Sequence, residues 1–219
     1  MRTYRRWILG AAMSLLPVLP IANATADERG DTVRWDIIRI SLFDPVNGNV
    51  IEAGGTASAS AQDTSKITVT GSGTFRIGDS DDVTGGGTWQ TFDPPPASTP
   101  TGAGNYRVTG LVRFEVAPGA QASNAKDLIG DGTLADNRGG LAILRIAYSD
   151  GSKGILVVSC DLPGNPPPGP AGSPDTLFEG ITASKGFVDY WNREAPVAKP
   201  VPVDGNRTLF HVVSADKDD

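Results

Sequence analysis

Hydrophobic and polar residues alternate with a period of two along most of the chain, and runs with the 3.6-residue period of a helix are nearly absent, so the pattern predicts an all-β protein. The clearest strand covers 66–77. Ile67, Val69, Gly71, Gly73, Phe75 and Ile77 fall on one face, and Lys66, Thr68, Thr70, Ser72, Thr74 and Arg76 on the other. The segment before it places Ile51, Ala53, Gly55, Ala57, Ala59 and Ala61 on one face, and Gln62-Asp63-Thr64-Ser65 between the two reads as a hairpin loop. Tyr106, Val108, Gly110, Val112, Phe114 and Val116 share a third face. Strands over 142–149 and 154–160 flank Asp150-Gly151, a pair that accepts the positive φ of a tight turn. Edge strands are expected over 33–42, 177–191 and 207–213, for about nine strands in all.

Three proline-rich stretches interrupt the alternation: 93–101, with Pro94-Pro95-Pro96; 162–175, with Pro166-Pro167-Pro168; and 195–204. Proline cannot donate to a ladder, so these read as surface loops or extended spacers. The polar, Gly/Asp-rich segment 119–140 reads as a long loop with a short helical turn near 125–129.

A repeat of the form T-G-x-G-[TN]-aromatic occurs three times: Thr70-Gly71-Ser72-Gly73-Thr74-Phe75, Thr84-Gly85-Gly86-Gly87-Thr88-Trp89 and Thr101-Gly102-Ala103-Gly104-Asn105-Tyr106. In each copy both glycines and the aromatic share a strand face. Glycine inside a strand weakens it unless a neighbour packs over the bare backbone or the strand must bend. Two readings follow. The rings of Phe75, Trp89 and Tyr106 cover glycines of adjacent strands and let the sheet coil; or the same three rings line a glycine-walled cavity for a ligand. These strands resemble those of the calycin and the dirigent-like or allene-oxide-cyclase-like barrels, a likeness of strand chemistry over three elements of six residues that transfers no residue role. The expected architecture is one domain over 27–219, a coiled antiparallel meander forming a β-barrel, with a β-sandwich as the alternative.

Residues 1–26 carry the marks of an export signal: Arg2, Arg5 and Arg6, an apolar run from Trp7 to Ile21, and small residues at Ala22, Ala24 and Ala26 for cleavage. The run is too short to span a bilayer as a helix, and Arg5-Arg6 leaves general and twin-arginine export both open. The expected location is secreted, periplasmic or cell-surface. The full chain has 19 basic and 25 acidic side chains; cleavage removes three arginines and no acid, leaving 16 − 25 = −9. That balance argues against nucleic acid and anionic membrane as partners, both of which are bound mainly through phosphate neutralisation.

Candidate chemistry is sparse. One Cys allows no intrachain disulfide, and one His excludes His-rich metal sites and any mechanism needing two imidazoles. His211 shares a face with Leu209 and Val213 and reads as structural, while Cys160 ends an apolar strand and reads as buried, so the Cys160–His211 dyad is the weaker alternative for both. The Asp79, Asp81 and Asp82 cluster lacks EF-hand spacing and reads as a solvated turn. Asp36, Glu52, Glu115, Glu179 and Asp189 lie in predicted strands, where a pair could serve acid/base chemistry. Phe187 and Trp191 fall on one face of the late strand and Tyr190 on the other, which fits either a sugar platform or a strand packed on the core. No cofactor and no metal is expected. The function read from these features is a non-catalytic secreted protein, binding a small apolar molecule or sugar through Phe75, Trp89 and Tyr106 or serving a structural role at the cell surface. The alternative is a metal-independent barrel isomerase or cyclase acting on a small apolar substrate.

Overall fold

The computed structural model describes residues 30–44, 48–117, 125–130, 134–162, 177–195 and 205–213, and of 41–44 and 48–49 the backbone alone. The segment 1–26, where an export signal is expected, and most of the proline-rich stretches 162–175 and 195–204 lie outside these residues. The chain opens with β1 (Thr32–Asp44) and β2 (Gly48–Ala53), then passes Gly54-Gly55 into β3 (Ala57–Ser60). After the loop 62–65 come β4 (Lys66–Val69), β5 (Ser72–Arg76), β6 (Gly86–Phe92) and the long β7 (Pro100–Val116). An excursion holds β8 (Lys126–Asp127), a 3-10 turn at Leu134–Asp136 and β9 (Asn137–Arg138). The hairpin β10 (Gly140–Tyr148) and β11 (Lys153–Cys160) follows, then β12 (Gly180–Lys185), β13 (Val188–Tyr190), β14 (Asn192–Arg193) and β15 (Arg207–Val213). The fold is all-β, as the alternation predicts. All fifteen strands join one sheet with the main order β13-β12-β11-β10-β7-β6-β5-β1-β15-β9; the parallel pair β2–β8 makes it mixed.

Several elements differ from the sequence expectation. The stretch 33–42 is no edge: β1 pairs with β2, β5 and β15. The expected strand 66–77 is two, broken where Gly71 (φ 155°) meets the backbone of Gly86 and the Tyr106 hydroxyl so closely that a Cβ would lie 2.8 Å and 2.2 Å from them. The strand through Ala53 breaks likewise, because a Cβ on Gly55 would fall 2.0 Å from the Ile38 carbonyl oxygen. In place of a helical turn near 125–129 stands β8, paired with β2. Within 177–191 lies a hairpin turning at Gly186-Phe187, not one strand. The turns after 61 and 149 form where expected, each fixed by an aspartate: Asp63 Oδ1 accepts from Ser65 N–H at 3.0 Å, and Asp150 Oδ1 from Ser152 N–H at 3.0 Å.

The expected face of β7 also fails after Val108. Register slips once between the pairs Val108↔Ile146 and Gly110↔Arg145, and again between Leu111↔Leu144 and Arg113↔Ile143. These are two one-residue bulges. They turn Leu111 inward (7% exposed) and Val112 outward (50%), and by cancelling they return Phe114 to the inner face.

Cross-strand pairs set the two faces. Val33, Trp35, Phe75 and Phe210 lie opposite one another on the inner side, and Arg34, Asp36, Leu209 and His211 on the outer side of the same strands. Phe114 on β7 and Phe210 on β15 are four strands apart along the ladder, yet their ring centroids are 5.1 Å apart, so the sheet curls back on itself. Among the described residues the ladder does not close. Across the seam, Thr208 Oγ1 of β15 donates to the Ser159 carbonyl of β11 at 2.6 Å. The Glu179 carboxylate lies beside that bond, accepting Thr208 N–H at 2.5 Å and Asp161 N–H at 2.7 Å.

Candidate functional site

The three aromatics singled out by the repeat occupy inner positions of β5, β6 and β7, and all are buried. They divide between two clusters. Phe75 meets Phe114 edge-on at 5.1 Å between centroids, and Phe114 meets Phe210 in the same way. Trp89 and Tyr106 meet instead through Tyr148, at 5.7 Å and 6.3 Å. The glycine partners are covered as the repeat implies: Cβ atoms on Gly102 and Gly104 would each fall 3.1 Å from the Trp89 indole. The polar edges of these rings are satisfied by backbone. Trp89 Nε1–H donates to the Asn105 carbonyl at 3.2 Å, Tyr106 O–H to Thr70 at 2.8 Å and Tyr148 O–H to Ser184 at 2.8 Å. Burial pushes both tyrosine hydroxyls far above their ordinary range. Lys185 lies 4.3 Å above the Trp89 ring and pairs with Asp150, whose carboxyl that lysine pulls down to about 2. Tyr148 and Lys185 escape a sequence reading because neither belongs to the repeat; the opposition of Tyr106 and Tyr148 in the β7–β10 ladder brings in the first, and the β10–β11–β12 order the second.

Cys160 and His211 are not brought together. Cys160 is fully buried, and burial next to Glu179 raises its thiol well above the ordinary value. The His211 imidazole faces the outer side of β15 and meets Asp127 of β8 at 2.6 Å, with Nε2 toward Oδ2. Asp36 accepts both Nε–H (2.7 Å) and Nη2–H (3.0 Å) of Arg34 on the same outer face. This buried polar cluster ties β8 to the sheet. Glu179, expected in a strand, lies just before β12, and burial raises its carboxyl to about 7, against hydrogen bonds from Asp161 and Thr208 that lower it. The Asp79 cluster is a turn, its Oδ1 accepting Asp81 N–H at 3.0 Å. Of the late aromatics, Tyr190 is buried, Trp191 is half-exposed and Phe187 stands fully exposed at the hairpin tip.

Two depressions lie on the outer faces of the described strands. One, of about 440 Å³, runs over β4, β6 and β7 and is lined mainly by Thr68, Thr70, Thr88, Gln90 and Asn105. Its hydroxyls are engaged, Thr70 with Thr88 at 2.8 Å and Thr68 with Ser58 at 2.8 Å. The other, of about 570 Å³, lies over β7, β10 and β11, where Arg107, Arg145 and Lys153 surround Thr109, Ala147 and Ile155. No spacing in the sequence marks this group, because its members come together only through the β7–β10–β11 register. Among the described residues no helix is long and apolar enough to cross a membrane. No protein-family model, curated protein or solved structure matches the chain.

Proposed function

We propose that the chain is an exported, non-catalytic binding protein, a coiled barrel-like sheet that takes its ligand on the outside. The observation that carries this reading is the packing of the repeat aromatics. Phe75, Trp89 and Tyr106 are at most 5% exposed. They rest on other rings and on glycine backbone, and Trp89 and Tyr106 direct their polar atoms to carbonyls. Rings so engaged favour a core role over the lining of a ligand chamber. The curl that brings Phe114 to Phe210 and the Thr208–Ser159 bond across the seam support the barrel-like description. An isomerase would need a carboxylate open to its substrate. Glu179 has a fitting proton affinity, but it is 8% exposed and backbone N–H groups occupy both of its oxygens.

The test is the thermal midpoint of the chain against apolar molecules, neutral oligosaccharides and small oxyanions, with turnover of each followed in parallel. A ligand at a hundred times its Kd adds about 2.7 kcal/mol, or roughly 5 to 10 °C for a chain of this size. The expected result is a shift with a polar class and no turnover. Turnover of any compound, or a shift with apolar molecules alone that Trp89→Ala abolishes, would overturn the reading.

A further inference from the structure

We infer that the depression over β7, β10 and β11 is a built site for a tetrahedral oxyanion, a phosphate or sulfate ester; this deepens the reading above and rests on it. The register places Arg107, Ala147 and Lys153 side by side in one row across three strands. With strands about 4.8 Å apart, the backbone positions of Arg107 and Lys153 stand about 10 Å from each other across the smallest side chain of the row. Arg145 precedes Ala147 by two residues on β10 and so shares its face, completing a triangle of cations around a low floor of Ala147 and Ile155.

The first β7 bulge shapes this triangle. It sets both Thr109 and Gly110 opposite Arg145 and adds the Thr109 hydroxyl to the rim. Gly110 is where the Arg145 side chain lies: a Cβ there would fall 2.8 Å from Nε and 3.0 Å from Nη2. With the glycine in place, the guanidinium rests over bare backbone and Nη2–H donates to the Leu111 carbonyl at 3.4 Å. A glycine inside a strand is a cost, and here it makes room for a cation.

Charge bookkeeping points the same way: of the described cations without a carboxylate partner, Lys126, Arg138 and Arg193 lie on β8, β9 and β14, and the other three line this depression. The chain carries 25 acids against 19 bases. Arg34, Arg39, Lys66, Arg76, Arg113 and Lys185 are each paired with a carboxylate. Arg107, Arg145 and Lys153 have no carboxylate partner among the described residues, and no carboxylate lines their depression. Three cations and a hydroxyl lining one depression suit a group with three or four oxygens in a tetrahedron. A planar carboxylate offers only two. Arginine supplies paired N–H donors to such a group, and Ile155 offers an apolar edge for the ester's organic part.

The experiment titrates the full chain, by calorimetry at constant ionic strength, with inorganic phosphate, inorganic sulfate and acetate. Saturable binding of phosphate or sulfate, with acetate silent, is expected; whichever tetrahedral ion binds more tightly identifies the ester. Arg145→Gln should weaken it about tenfold, while Arg113→Gln, on the same face but paired with Glu115, should leave it unchanged. Gly110→Ala keeps every charge and meets only the movable end of Arg145. It should weaken binding severalfold, as a general attraction to positive charge would not. Undiminished binding in Gly110→Ala or in Arg145→Gln, an equal response to acetate, or no saturable response to either tetrahedral ion would overturn the proposal. A silent titration sinks this site and leaves the non-catalytic reading standing, whereas turnover in the panel above sinks that reading and leaves the titration's outcome untouched.

Discussion

Single atoms decide much of this fold, and Gly71 and Glu179 show it from opposite directions. At Gly71 a side chain is forbidden: φ is 155°, and a Cβ would crowd the Gly86 carbonyl oxygen at 2.8 Å as well as the Tyr106 hydroxyl. Gly71→Ala should therefore cost about 3 kcal/mol, seen as a lower urea midpoint, since backbone cannot give way as a flexible side chain does. At Glu179 a side chain is kept at a cost. Its carboxyl titrates near 7 in the fold against an ordinary 4.5, so between these values the folded chain holds a proton that the unfolded chain has lost. Its contribution to stability is complete below the lower value and is lost as pH rises through the upper one, about 3 kcal/mol in all. Asp161, Arg207 and Cys160 are the other titratable or charged groups acting on it. Urea unfolding at about pH 5 and about pH 8 should show that loss in the native chain and not in Glu179→Gln. Equal profiles for the two would remove Glu179 as the cause.

At the scale of elements, alternation is legible wherever a strand is regular and silent where it is interrupted. The β10–β11 hairpin and the 62–65 loop follow from Asp-Gly and Gln-Asp-Thr-Ser because turn chemistry is local. The breaks at Gly71 and Gly55 depend on which backbone approaches from another strand, which no local pattern carries. The bulges of β7 are the sharpest case. Strict alternation buries Val112 and exposes Leu111; the structure does the reverse. Leu111→Ala should then cost about 3 kcal/mol and Val112→Ala no more than about 0.5 kcal/mol, measured by chemical denaturation. The opposite order would restore the unbulged strand. The repeat aromatics were legible as inward-facing residues, but their division between two clusters was not, since Phe114, Tyr148 and Phe210 lie outside the repeat. The basic depression was invisible for the same reason.

For the whole molecule, an acidic chain folds into a curled sheet with rings and glycines packed inside, and three cations without a carboxylate partner among the described residues line one outer depression. The central claim is that this face, and not the interior, receives a ligand. Backbone amide NMR of the chain during a phosphate or sulfate titration tests it most directly. The account predicts saturable shifts centred on Arg107, Thr109, Gly110, Arg145, Ala147 and Lys153, with Trp89, Tyr106 and the Phe75 region unmoved. Shifts centred instead on Trp89, Tyr106 and Tyr148 would contradict it, placing the ligand among the rings.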